Sequence, residues 1–217
     1  MDIFRGKNTK LHWNQKHINQ YGDNKPYDFD AIDKTEDSYH HAASEILKAN
    51  IDTFNNKSLL EIGCGHGSFC AHMKKNVLQK YEIEGWDFSP SGIGIAIKKA
   101  EELEIDIKYE ERDFLLNPVE NNYGVICMFE VLEHIEEDEN YKVLDNILDH
   151  CEYFILSVPN TQDSCFGEHI SHYDFDTFAN KGYNVVWKAK LGKIDMSNTG
   201  DYGEYFHFIT LFKGNLS

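Results

Sequence analysis

The sequence predicts an α/β fold, with a doubly wound, mostly parallel sheet of seven strands, helices on both faces and an antiparallel last strand. Five short apolar segments alternate with segments of helical pattern, which is the order of consecutive βα units. Tyr123–Phe129 and Tyr153–Val158 are almost wholly apolar, as strands buried on both faces are. The last two strands lack a crossover helix between them, so we expect an antiparallel hairpin at one edge of the sheet.

The elements follow one another along the chain. The predicted strands are Ser58–Ile62, Tyr81–Asp87, Ile107–Glu111, Tyr123–Phe129, Tyr153–Val158, Asn184–Ala189 and Tyr205–Lys213, and the predicted helices cover residues 35–50, 66–79, 90–104, 136–150 and 174–180. Asp33 and Glu36 have the spacing of a capping box before the first helix. Residues 1–34 are polar and aromatic with little periodicity, so we expect an irregular arm, a candidate lid whose Trp13 and Tyr27 cover a pocket of the 35–217 domain.

Composition and charge exclude several classes of protein. Of the 217 residues, 41% are hydrophobic and 13% aromatic, which is enough to build a core. No apolar run is long enough to span a bilayer and the N-terminus has no secretion-signal pattern, so a cytoplasmic location is expected. The net charge of −16 disfavours nucleic acid and anionic membranes as partners. Five cysteines without a Cys-x-x-Cys pair disfavour a disulfide framework or a thiolate zinc site.

A glycine-rich loop follows the first predicted strand. Its sequence is Glu61-Ile-Gly63-Cys-Gly65-His-Gly67, and glycines there allow a tight turn and a close approach of the backbone to a ligand. The spacing is G-x-G-x-G, whereas a dinucleotide fold has G-x-G-x-x-G. A glutamate two residues before the first glycine would repel a pyrophosphate, so the loop suits a ligand with a cationic group.

Two acidic residues follow the next strands. Asp87 stands twenty residues after Gly67 at the end of the second strand, where a carboxylate can accept hydrogen bonds from both ribose hydroxyls. Asp113 follows the third strand, where it could accept from an exocyclic amino group while Phe114 covers an adenine face. The sequence therefore predicts an adenosine site along the carboxyl edge of the sheet.

The segments EIGCGHGSF, EGWDFSP, ERDFL and MFEVLEHI occur in the order and spacing of one known family. With them, residues 40–213 resemble the class I S-adenosylmethionine-dependent methyltransferases, and MFEVLEHI holds an E-x-x-E-H segment like that of the ubiquinone-precursor O-methyltransferases. The resemblance implies a Rossmann-like three-layer sandwich, S-adenosyl-L-methionine as cofactor and S-adenosyl-L-homocysteine as product. The cofactor-binding residues that we expect are Glu61, Gly63, Gly65, Gly67, Asp87, Phe88, Asp113, Phe114 and Glu130, the last beside the methionine end.

Methyl transfer from a sulfonium requires an aligned acceptor and, for a protonated acceptor, a base. A helix that begins near Glu130 would place Glu130, Glu133 and His134 on its first turn, and the loop after the fifth strand adds Glu168, His169 and His172. Glu133, His134 and His172 are therefore the catalytic candidates. We favour a metal-free site, and the alternative is a divalent cation held by Glu130, Glu133, His134 and His172.

The predicted function is transfer of a methyl group to an oxygen or nitrogen of a small molecule. Three alternatives stay open: a methyltransferase acting on an RNA terminus, a non-catalytic S-adenosylmethionine-binding module, and a dinucleotide oxidoreductase, which the glycine spacing disfavours. The expected partner is a small-molecule substrate, with no membrane contact, as a monomer or a homodimer.

Overall fold

The computed structural model describes residues 10–21, 38–160, 169–195 and 204–216. The helices are α1 (Lys10–Tyr21), α2 (Tyr39–Asn50), α3 (Ser68–His72, continued by a π-helical turn over Met73–Val77), α4 (Pro90–Glu102), α5 (Glu137–Asp149) and α6 (Thr177–Asn180), with a 3₁₀ turn at Leu132–His134. The strands are β1 (Ser58–Ile62), β2 (Glu82–Asp87), β3 (Lys108–Glu111), β4 (Tyr123–Phe129), β5 (Cys151–Pro159), β6 (Val185–Asp195) and β7 (Glu204–Lys213).

The seven strands form one sheet in the order β3-β2-β1-β4-β5-β7-β6. Strands β1 to β5 pair in parallel, whereas β7 is antiparallel to both β5 and β6. This arrangement confirms the predicted fold class and the antiparallel pair at one edge. The strand order reverses between β1 and β4, and ligands bind outside the carboxyl ends of strands at such a reversal.

The core lies on both faces of the sheet because successive side chains of a strand point to opposite sides. On one face, Leu59 of β1 and Val125 of β4 belong to a buried cluster with Leu47 of α2 and Phe69 of α3. The other face has its own cluster, which joins the next residues of those strands to helix α5. The structure is thus a three-layer sandwich, and its buried strands position the loops at their ends.

The N-terminal part differs from the prediction. The arm is not irregular over residues 10–21, which form α1. The predicted capping box of Asp33 and Glu36 lies outside the described residues. Helix α2 begins at Tyr39, where the Ser38 side chain accepts a hydrogen bond from the His40 amide. None of the described helices is both long and apolar enough to cross a membrane.

Candidate functional site

A cavity of about 190 Å³ opens at the carboxyl ends of the parallel strands, on both sides of the strand-order reversal. The residues that line it are Trp13, His17, Gly63, Gly65, Asp87, Phe88, Asp113, Phe114, Phe129, Glu130, Val131, His134 and Ile135. The cavity therefore joins the loops after β1, β2, β3 and β4 with helix α1.

The loop after β1 brings the backbone into the cavity wall. Gly63 and Gly65 have φ of 75° and 53°, in the left-handed region that favours glycine. The amides of Gly63 and Cys64 donate to the Trp86 carbonyl at 2.8 and 3.0 Å, which ties this loop to the end of β2. A Cβ on Gly63 would lie 2.3 Å from Cγ2 of Val131, so only glycine allows this contact.

Glu61 and Gly67 belong to the same loop but do not line the cavity. The carboxylate of Glu61 accepts hydrogen bonds from the Cys70 amide and thiol, so it caps the start of α3 beneath the loop. Burial raises the pKa of Glu61 to about 8. A Cβ on Gly67 would lie 2.5 Å from the Tyr109 hydroxyl, so this glycine provides room for β3 to pack against the loop.

Asp87 joins the first two loops of the site. Its carboxylate accepts from the Gly65 amide at 2.8 Å and from the Ser89 amide at 2.8 Å. Burial raises the pKa of Asp87, and the nearby His17 opposes that rise. The carboxylate therefore has a fixed orientation at the cavity wall, at the predicted position after β2.

The residues predicted to bind adenine line the cavity in the loops after β2 and β3. Phe88, Asp113 and Phe114 all line the cavity, with Asp113 in the loop two residues after β3. Oδ1 of Asp113 accepts from the Leu115 amide at 3.1 Å, which fixes the acidic side chain within its turn. Two aromatic side chains and one carboxylate thus line the part of the cavity next to β2 and β3.

Glu130 lies at the opposite end, directly after β4. Its φ of 54° is in the left-handed region, so no helix begins there, and the expectation of a first helical turn at Glu130 is wrong. Ser157 donates to Oε1 of Glu130 at 2.8 Å, and Nδ1 of His207 lies 2.9 Å from Oε2. The contacts with Ser157 on β5 and His207 on β7 thus orient this carboxylate.

The 3₁₀ turn brings Glu133 and His134 beside the loop after β5. His134 lines the cavity, and its Nε2 lies 3.7 Å from Oε1 of Glu133. The Glu133 side chain is buried, neither of its carboxylate oxygens has a hydrogen-bond partner among the described residues, and burial raises its pKa well above the usual range. The amides of Ile170 and Ser171 donate to the Glu133 carbonyl, which holds the later loop against this turn.

His169, rather than His172, reaches this pair. The ring centroids of His134 and His169 are 5.1 Å apart, and ligand atoms of Glu133, His134 and His169 all lie within 4.8 Å of one another. His172 is exposed and does not line the cavity, and Glu168 lies outside the described residues. One buried carboxylate without a partner and two imidazoles fit the donor set of a divalent cation such as Zn²⁺, Fe²⁺ or Mn²⁺.

Helix α1 supplies two cavity residues. Trp13 lines the cavity, and its ring centroid lies 5.1 Å from that of His134 in an edge-to-face arrangement. His17, which the sequence analysis did not select, is buried beside Gly65. Trp13 and His17 are four residues apart, which places them on one face of a helix, so recognition of the helix would have grouped them. Tyr27 lies outside the described residues.

Two curated relatives share part of the sequence. Norajmaline N-methyltransferase from Rauvolfia serpentina is 30% identical over 88 residues, which cover 39% of this chain and 30% of that enzyme. Release factor glutamine methyltransferase from Bacteroides thetaiotaomicron is 29% identical over 117 residues, which cover 53% of this chain and 40% of that enzyme. The chain thus spans less than half the length of each of these curated relatives.

Two solved structures share the fold. One is the N-methyltransferase NodS from Bradyrhizobium japonicum in complex with S-adenosyl-L-homocysteine, with a TM-score of 0.66 at 15% identity. The superposition covers 94% of this chain and 99% of the NodS chain. Magnesium protoporphyrin IX methyltransferase from Synechocystis PCC 6803 with bound S-adenosylmethionine has a TM-score of 0.62 at 15% identity and covers 94% of this chain and 92% of its own. The family described as a methyltransferase domain matches residues 36–196. The chain therefore belongs to this family of methyltransferase domains.

Proposed function

We propose that the protein transfers the methyl group of S-adenosyl-L-methionine to an oxygen or nitrogen of a small-molecule acceptor. The observation that carries the proposal is one cavity that joins Asp87 and Asp113 at one end to Glu130 and His134 at the other. Membership of the methyltransferase domain family supports it. So do solved structures of the same fold that hold S-adenosylmethionine or its product.

The cofactor follows the wall of the cavity in this proposal. The carboxylate of Asp87 accepts a hydrogen bond from the ribose, and Phe88, Asp113 and Phe114 surround the adenine. The backbone of the glycine loop at Gly63 and Gly65 lies along the methionine part. Glu61 and Gly67 act indirectly, since they shape this loop from below.

The remaining end of the cavity binds the acceptor. The transfer is an in-line displacement that needs no enzyme nucleophile, so the protein must align the acceptor about 3 Å from the methyl carbon. His134 lines this space and takes a proton from the acceptor in our proposal, with Oε1 of Glu133 3.7 Å from its Nε2. The edge of Trp13 packs against His134 and limits access of water.

A metal-assisted form of the same reaction is the second candidate, which the buried, unpaired carboxylate of Glu133 favours. Glu133, His134 and His169 would hold the cation, and Glu130 would stay with Ser157 and His207. A divalent cation at this place supplies Lewis-acid chemistry that lowers the pKa of a bound hydroxyl. Titration with Mn²⁺ and Zn²⁺ separates the candidates, because the metal-assisted form requires binding that is lost in Glu133→Gln and His169→Ala.

Two measurements test the proposed function. Calorimetric titration with S-adenosyl-L-homocysteine gives binding if the cavity is a cofactor site, and absence of binding contradicts the proposal. Incubation of a metabolite extract with cofactor labelled in its methyl group then yields a labelled small molecule. Label in added RNA instead supports the RNA-terminus alternative, and binding without any transfer supports the non-catalytic module.

A further inference from the structure

Helix α1 is fastened to the start of α4 by polar side chains. Oδ1 of Asn14 accepts from the Ser89 hydroxyl at 2.7 Å and from the Ser91 hydroxyl at 3.1 Å, and the Ser91 hydroxyl also lies 2.9 Å from the Asn14 carbonyl oxygen. Ser89 is the residue that caps α4, and it lies two positions after Asp87. Helix α1 is therefore anchored beside the carboxylate that follows β2.

The contacts between α1 and α4 place His17 in the cavity wall. It is buried, and a Cβ built on Gly92 would lie 2.7 Å from its Nδ1. A Cβ on Gly65 would lie 3.3 Å from its Nε2. Gly92 has ordinary helical geometry, so its lack of a side chain makes room for the imidazole and for the Gly65 carbonyl oxygen, which a Cβ would approach to 2.8 Å, rather than allowing an unusual backbone angle.

The hydrogen bonds around Ser89 define which nitrogen of His17 carries a proton. The Ser89 hydroxyl gives its hydrogen to Asn14, because a carbonyl oxygen only accepts. Nδ1 of His17 lies 2.9 Å from the same hydroxyl oxygen, so Nδ1 must be the donor there. In the neutral ring Nε2 is then an acceptor, on the side of Gly65. Burial lowers the pKa of His17, which keeps the ring neutral, and the charge of Asp87 opposes this shift.

We propose that His17 is a cofactor-binding residue whose Nε2 accepts a hydrogen bond from a ribose hydroxyl of the adenosyl ligand. The inference rests on the proposed function. Asp87 and His17 both line the cavity, and both contact the segments that hold Gly65 and Ser89. The two vicinal hydroxyls of a ribose can each bind a different acceptor, and this arrangement supplies a carboxylate and an imidazole that are 70 residues apart in the sequence. Helix α1 thus selects a ligand with an intact ribose.

Two variants of His17 distinguish the role of Nε2, which binds the ligand in this proposal, from that of Nδ1, which contacts Ser89. His17→Asn keeps a donor at the position of Nδ1, so it retains the contact with Ser89, but it has no atom at the position of Nε2. His17→Gln places an amide group near Nε2. We expect His17→Asn to weaken S-adenosyl-L-homocysteine binding about tenfold and His17→Gln to recover part of the loss.

Deoxy analogues of the ligand decide between a direct and an indirect effect. If Nε2 accepts from a ribose hydroxyl, His17→Asn should cost no affinity for either the 2′-deoxy or the 3′-deoxy analogue of S-adenosyl-L-homocysteine, whichever lacks that hydroxyl. An equal loss for all three ligands would show a purely structural role and overturn the inference. Failure of the unsubstituted protein to bind any of them would contradict the proposed function itself, so the two failures are distinguishable.

Helix α4 offers a matched pair of glycine substitutions. Gly92→Ala places a methyl group against His17, whereas a Cβ on Gly94 of the same helix has no heavy atom within 4 Å. We expect weaker S-adenosyl-L-homocysteine binding in Gly92→Ala and unchanged binding in Gly94→Ala. Equal affinities in the two variants would count against the position that the structure gives to His17.

Discussion

Nδ1 of His207 on β7 lies 2.9 Å from Oε2 of Glu130, the residue directly after β4. Together with the Ser157 hydroxyl on Oε1, this contact holds a carboxylate at the cavity wall in a left-handed backbone conformation. A non-glycine residue in that region costs about 1–3 kcal/mol, and the surrounding contacts offset it. Glu130 is therefore a pre-oriented carboxylate at the cavity wall, and it is the residue that we expect beside the methionine part of the cofactor.

The first prediction concerns this charge. Glu130→Gln removes it without a large change in shape and should weaken S-adenosyl-L-homocysteine binding by about tenfold, the effect of one lost charge-assisted contact. His207→Ala leaves the charge but removes one of its two supports, so a smaller loss of about threefold is expected. Calorimetric titration at one pH and salt concentration measures both values. A greater loss in His207→Ala than in Glu130→Gln would exclude a positioning role for His207.

The second prediction concerns the contact between Gly63 and Val131. Gly63→Ala combines a φ of 75° with a Cβ 2.3 Å from Cγ2 of Val131, so it should lower the free energy of unfolding by about 2–4 kcal/mol. Adding Val131→Ala removes the overlap but not the backbone strain, and should restore about half of the loss. Urea denaturation measures each variant, with Gly94→Ala as the control, which should be about 0.5–1 kcal/mol more stable. Purely additive effects of the two alanines would argue against the contact.

The sheet could be predicted from the sequence because runs of apolar residues mark the strands that are buried in it. Tyr123–Phe129 is buried at every position, as its apolar run indicates, and the loops at the strand ends follow from the parallel topology. For that reason Gly63, Asp87 and Asp113 were found before their contacts were known. Glu61 was predicted to bind the ligand because of its charge alone. Its hydrogen bond with Cys70 is seen only in the structure.

Contacts between distant segments were not predictable in this way. Helix α1 has no apolar stripe, and it docks through hydrogen bonds that join Asn14 and His17 to Ser89 at the start of α4. Periodicity therefore gives no signal for it, since the period of apolar residues detects only helices that bury one face. His207 lies on β7, next to the edge strand β6, and is 77 residues from Glu130 in the sequence. At that separation, no sequence motif or helical or strand periodicity indicates a contact.

The third prediction is a pH dependence of stability that comes from Glu61. Burial raises the pKa of this residue in the folded protein from 4.5 to about 8. In the unfolded chain it ionises near 4.5, so between these values unfolding releases a proton and becomes easier as the pH rises. The contribution to stability is fully present below pH 4.5 and is lost as the pH rises through about 8.

Glu61→Gln removes this titration while it keeps an acceptor for Cys70. The difference in free energy of unfolding between wild type and Glu61→Gln should fall from pH 5 to pH 8 by up to about 1.4 kcal/mol per pH unit. Urea denaturation of both proteins across this range measures it, and taking the difference cancels the other titrating groups. A difference that does not change with pH would mean that Glu61 is ionised in the fold.

The fourth prediction separates the two histidines that the sequence selected as bases. His134 lines the cavity beside Glu133, whereas His172 is exposed and outside it. His134→Ala should therefore lower kcat by about 100-fold or more, the usual contribution of a general base, and His172→Ala should leave kcat unchanged. Transfer of labelled methyl groups to the acceptor found in a metabolite extract measures both. Binding of S-adenosyl-L-homocysteine should be nearly equal in the two variants, because His134 faces the acceptor end. A large loss of kcat in His172→Ala would show that the loop after β5 rearranges around the acceptor and would move the base away from His134.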